Sequence, residues 1–139
     1  MAAPSGGGGG GGPVGFANSF TGPASNLEIL GEHAYMYTGS ITNATSETTI
    51  AETISGNFSL VGQWQVQLFE ITTDDQFFRF YLNGSLVAAT AVTSTKDYSP
   101  YEGIEIIIPP YTELKITSEN LGSGNKNVGS IITGRIYRG

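Results

Sequence analysis

The chain has 139 residues, no cysteine, one histidine and a formal net charge of −6. Disulfides, thiolate zinc sites and multi-histidine metal sites within one chain are therefore excluded, and the acidic balance argues against a surface that tracks the phosphates of DNA or RNA. Charged residues make up only 13% of the chain, against a usual share of about a quarter; Thr, Ser, Asn, Gly and Ile take their place, a mixture common in all-β proteins with many turns.

Residues 1–26 form a Gly/Pro-rich arm without a charged side chain, containing seven consecutive glycines from Gly6 to Gly12. Glycine has nothing to bury and loses the most backbone entropy on ordering, so a flexible tail or linker is the expected state. The tract is not a phosphate loop, because the Lys and Ser/Thr that such a loop needs before a helix are missing. Nor does the N-terminus carry the basic region and apolar core of a signal peptide. No apolar run approaches the ~20 residues of a membrane span. A soluble protein made in a cytoplasm is expected, with no membrane partner. Phe16 and Phe20, in VGFANSF, are the exceptions in the arm. They are candidate assembly contacts on a neighbouring subunit, or they tuck onto this domain's own sheet; both readings stand.

From residue 27 to 139 the sequence reads as one β domain. HAYMYTGSI (33–41) and TTIAETI (48–54) are plausible strands, the Thr and Ile content of the second favouring strand over helix. QWQVQL (63–68) alternates strictly, with Trp64, Val66 and Leu68 on one face and three glutamines on the other. FFRFYL places Phe78, Phe80 and Leu82 on one face and Arg79 on the other. The chain then turns at Asn83-Gly84, the strongest short hairpin signal, and continues through Leu86, Ala88 and Val92. GIEIII (103–108) groups Ile104, Ile106 and Ile108 before Pro109-Pro110 ends the strand. TELKITS (112–118) puts Leu114 and Ile116 inward, with Glu113, Lys115 and Thr117 outward. SIITGRIY (130–137) puts Ile132 and Ile136 on one face, with Arg135 and Tyr137 on the other. About eight antiparallel strands and regular turn signals predict a single jelly-roll-like β-sandwich carrying the extended arm, with an immunoglobulin-like sandwich as the second choice.

Chemistry is sparse. His33 stands at the start of a strand with no nucleophile motif in the sequence, and reads as a surface or hydrogen-bonded residue. Asp74-Asp75 reads as a solvated turn, or as part of a calcium site with Asp97 or Glu102, although the spacing matches no calcium loop. Glu102 and Glu105 flank an isoleucine-rich strand and read as guards of a sheet edge. Tyr98, Tyr101 and Tyr111 surround prolines in KDYSPYEG and PPYTEL. They are candidate surface recognition residues for a sugar or a protein, or packing for one end of the sandwich. Three Asn-x-Ser/Thr triplets, at Asn43, Asn57 and Asn83, read as chance in so Ser- and Thr-rich a chain. No catalytic residue, cofactor or metal is assigned, and the expectation is a protein that is not an enzyme.

The stretches FFRFYLNGSLVA, IIIPPYTELKITSEN and ITGRIYRG carry a strand ending in Y-L-N-G, a strand ending in I-P-P-x-T and a closing T-G-R-x-Y. In these the chain, from Tyr35 to Gly139, resembles small single-jelly-roll virion proteins of tailed bacteriophages. The resemblance implies a capsid decoration or cement protein, often trimeric. Such a protein sits on the exterior of the virion head, binds a major capsid protein and copies of itself, and stabilises the shell. The fold also resembles receptor-binding knobs and tumour necrosis factor-like trimers, so the alternative is a phage fibre or knob module that recognises a receptor or glycan.

Overall fold

A computed structural model describes residues 27–70, 72, 74–92 and 103–138. All regular structure among them is strand: β1 (Glu28–Leu30), β2 (His33–Tyr37), β3 (Ile41–Thr42), β4 (Thr48–Ile54), β5 (Ser59–Leu68), β6 (Gln76–Leu82), β7 (Ser85–Val92), β8 (Ile104–Ile108), β9 (Glu113–Asn120) and β10 (Asn127–Tyr137). They form two antiparallel sheets, one in the order β1-β2-β10-β5-β8 with β3 also on β10, the other in the order β4-β9-β6-β7. The arm (1–26) and the β7–β8 segment 93–102 lie outside the described residues.

Alternation along each strand builds the core between the sheets. Leu60, Trp64, Val66 and Leu68 of β5 meet Phe78 and Phe80 of β6, Leu114 and Ile116 of β9, and Ile132 and Ile136 of β10. The Trp64 and Phe80 rings sit 5.2 Å apart between centroids, tilted by 50°. Trp64 Nε1 donates to Ser130 Oγ at 2.8 Å, and that hydroxyl donates to the Gln65 carbonyl. A buried indole N–H needs such a partner.

Three departures from strict alternation shape the faces. The predicted strand 33–41 is broken into β2 and β3 at Thr38–Ser40, where Gly39 has φ of 68°. Thr38 spans the break: its N–H donates to Ser130 O at 3.1 Å, and its Oγ1 accepts from Ser130 N at 2.8 Å. In β7 the register slips, so that Phe80 faces Ala88 while Tyr81 faces Leu86. This bulge turns Leu86, expected inward, to the outer surface, where it is 54% exposed. In β4 the register shifts between Thr49 and Ala51, and the consecutive Ile50 and Ala51 are both fully buried. The Asn83-Gly84 hairpin forms as predicted, with φ of 50° and 81° at its two central residues. Positive φ at both positions is the two-residue turn whose twist matches paired strands.

Candidate interaction surfaces

One end of the sandwich is built on three buried amides. Asn43 Nδ2 donates to Gln76 Oε1 at 2.8 Å, and Gln76 Nε2 donates to Asn120 Oδ1 at 3.0 Å. Asn120 Nδ2 donates to Gly124 O at 2.6 Å, and Asn43 Oδ1 accepts from Lys126 N at 2.9 Å. All three residues are 1% exposed or less, so each amide must be satisfied internally. The network fixes the chain before β4 and the β9–β10 loop. It also occupies the Asn43 amide that the glycosylation pattern would require. Asp74, expected as a solvated turn residue, joins the clamp: its carboxylate accepts from Ser123 N at 3.2 Å and lies 3.7 Å from Lys126 Nζ. A Cβ at Gly122 would fall 2.1 Å from Asp74 Cγ, so glycine is what lets the loop close over the carboxylate. Among the described residues no group of three His, Cys, Asp or Glu side chains converges to hold a metal ion. Asp97 and Glu102 lie outside the described residues.

The outward face of the four-stranded sheet carries a charged and aromatic network. Register sets Phe77 beside Glu119, Arg79 beside Thr117 and Tyr81 beside Lys115. Arg79 Nη1 donates to Glu119 Oε1 at 3.0 Å, and its guanidinium lies 4.4 Å from the centre of the Phe77 ring. Glu47, just before β4, folds over this face: Thr117 Oγ1 and Tyr81 Oη both donate to its Oε2. The hydrogen bonds from Thr117 and Tyr81, then the attraction of Arg79 and Lys115, hold the Glu47 carboxyl below its ordinary value. The hydrogen bond to that carboxylate pushes the Tyr81 phenol up. Thr117 points outward as expected, yet is 2% exposed beneath this cover.

The outward face of the six-stranded sheet is less charged. One row crosses five strands, Leu30, His33, Arg135, Val61 and Ile107. Leu30 is 71%, Val61 43% and Ile107 64% exposed. Arg135 pairs with Glu32, and His33 is an exposed residue at the first position of β2. Toward the other end, Tyr37, Gly39, Gln67, Phe69, Ser130 and Ile131 line an open depression of about 270 Å³. Beside it, a Cβ on Gly129 would lie 2.6 Å from both the Phe69 ring and Gly39 O.

Of the candidate recognition and assembly residues, Tyr111 is among the described residues. It follows Pro109-Pro110, has φ of 51° and is 67% exposed. Its N–H donates to Gly56 O at 3.0 Å, so the ring is displayed on a pinned turn. Tyr111 follows the C-terminal end of β8, which the chain leaves at Ile108. Tyr98 and Tyr101, with Phe16 and Phe20, lie outside the described residues. Sequence reading missed the outer-face pair Tyr35 and Tyr37, whose rings lie 5.3 Å apart; the alternation in HAYMY was the signal. It also missed Glu47, whose role depends on strands distant in sequence.

The fold defines the class, an all-β antiparallel sandwich. Compared with family models, with curated proteins and with solved structures, the chain matches none.

Proposed function

We propose that the protein is a structural virion protein, a decoration or cement protein that binds the outer surface of a phage head and stabilises the shell. Its domain is read as a single jelly roll. The strand order supports this: β2-β10-β5-β8 faces β4-β9-β6-β7, the eight-strand order that two Greek keys produce, with β1 and β3 as short additions. The observation that carries the function is the row Leu30, Val61 and Ile107 with nearby Tyr137, exposed on the same outer face as Tyr37. Apolar side chains gathered on one face mark a protein contact, and a cement protein works by complementary surface rather than by tuned acids and bases. Partners on this reading are copies of itself, in a homotrimer, and a major capsid protein.

Two measurements test it. Light scattering coupled to size exclusion should give three times 14.6 kDa, and the trimer should bind undecorated heads. Deleting residues 1–26 should leave the β domain folded, with unchanged circular dichroism, but weaken attachment to heads. Unchanged attachment would remove the arm from the mechanism. The alternative, a receptor- or glycan-binding knob, is favoured by Tyr111, an exposed ring fixed in a left-handed turn. Saturation titration against a glycan panel, repeated with Tyr111→Ala, separates the two.

A further inference from the structure

We propose that residues 14–26 of the chain dock on the outward face of its own six-stranded sheet, with Phe20 seated in the depression between Tyr37, Phe69 and Ile131. This goes beyond the decoration reading and does not depend on it.

The point of entry fixes the geometry. β1 pairs with β2 in the register Glu28 to Tyr35 and Leu30 to His33. Continued one residue, that register sets Leu27 level with Met36, and Leu27 packs against the core. The chain therefore reaches the sheet at the Tyr37 end of β2, beside the depression. Tyr37 lies next to Ile131 of β10, so the depression is one to two strand spacings from β1, or about 5–10 Å. Phe20 precedes Leu27 by seven residues, a tether of up to about 24 Å when extended. Pro23 in that tether is compatible with extended chain. The span is within reach without strain.

Chemistry agrees with reach. The depression is lined by no charged residue, and residues 1–26 contain no charged side chain, so docking desolvates no ion. Tyr37 is 60% exposed, leaving apolar surface for an aromatic ring to cover. The volume, about 270 Å³, falls below the ~300 Å³ at which small-molecule clefts usually begin. It suits a single side chain better than a metabolite. A short tether also gives the chain's own arm an effective concentration of about millimolar, which favours it over the arm of a second copy.

The absence of cysteine makes the test direct. A nitroxide on Ser19→Cys of the full chain leaves Phe20 in place, and amide signals of the isotope-labelled domain are then read. The expected result is loss of signal centred on Gly39, Phe69 and Ile131. That loss should persist when labelled chain is diluted with excess unlabelled chain, and signal should return when Phe20→Ala is added. Uniform signal across the domain overturns the proposal. So does loss that Phe20→Ala leaves unchanged, or loss that appears only when isotope and nitroxide are on different chains; the last outcome assigns the depression to a second copy.

Discussion

At the scale of single residues, the positions that tolerate least change are those where a side chain has no room or a polar atom has no alternative. Gly134 and Gly62 face each other on β10 and β5. A Cβ on Gly62 would lie 2.0 Å from Thr133 O, and one on Gly134 would lie 2.6 Å from Val61 O. Both contacts are with backbone, so no rotamer relieves them. Gly134→Ala is expected to cost about 2–4 kcal/mol through strand displacement, read as a lower midpoint in urea with the emission of Trp64 as probe. Gln76→Leu fits the same space but strands the Nδ2 donor of Asn43, while Asn120 Oδ1 keeps the Gly122 N–H. A loss of about 1–3 kcal/mol is expected from that one unsatisfied buried group, and should be measurable by the same titration. Glu47 brings pH dependence. Its folded pKa lies below the ordinary 4.5, so its contribution is complete above that value and is lost as pH falls through the folded pKa. Tyr81 is raised above 10.0, so its contribution holds below that value and is lost as pH rises through the folded pKa. Glu47→Gln should therefore be destabilised at neutral pH by less than about 1 kcal/mol, since the site is partly exposed. It should converge with the parent in acid, as followed by thermal unfolding across pH.

Among elements, the edge strands differ in how they are protected. β1 is three residues long, and short edges offer little to pair with. β8 carries Glu105 on its outward face beside Gln63, in keeping with the guard role expected of it. β7 is eight residues long and exposes Leu86 and Val87, each at 54%, because the bulge opposite Phe80 and Tyr81 turns Leu86 out. These exposed apolar side chains make this edge a candidate for pairing with another chain. Val87→Lys should leave the unfolding midpoint within about 0.5 kcal/mol of the parent while slowing aggregation on heating. Turbidity at constant temperature checks it; equal aggregation would place the vulnerable edge elsewhere.

For the whole molecule, the two outer faces have different characters. Along the middle of the four-stranded sheet the ion pairs and hydrogen bonds of Arg79, Glu47 and Glu119 satisfy one another, while Leu86 stays exposed at its β7 edge. The six-stranded sheet leaves apolar side chains in the open, at the Leu30–Ile107 row and at the Tyr37 depression. The proposed attachment surface and the proposed seat for Phe20 are both on the six-stranded side. One consequence is a competition: an arm docked on its own sheet has to leave before it can reach a neighbour.

Local pattern was enough to determine most of the strands. Period-two alternation in QWQVQL, FFRFYL and SIITGRIY reports which side chains are buried, because a strand's two faces meet different solvents. Asn83-Gly84 is readable because only a few residues accept positive φ cheaply. Pairing order was not readable, since β10 lies between β2 and β5, partners distant along the chain. The inversion at Leu86 comes from a bulge inside the β6–β7 hairpin, but the break at Thr38–Ser40, the cover over Thr117 and the buried Asn43–Gln76–Asn120 chain share that origin. Each depends on which distant strand supplies the facing atom. A sequence lists donors, acceptors and apolar groups, but only packing in three dimensions decides which of them meet.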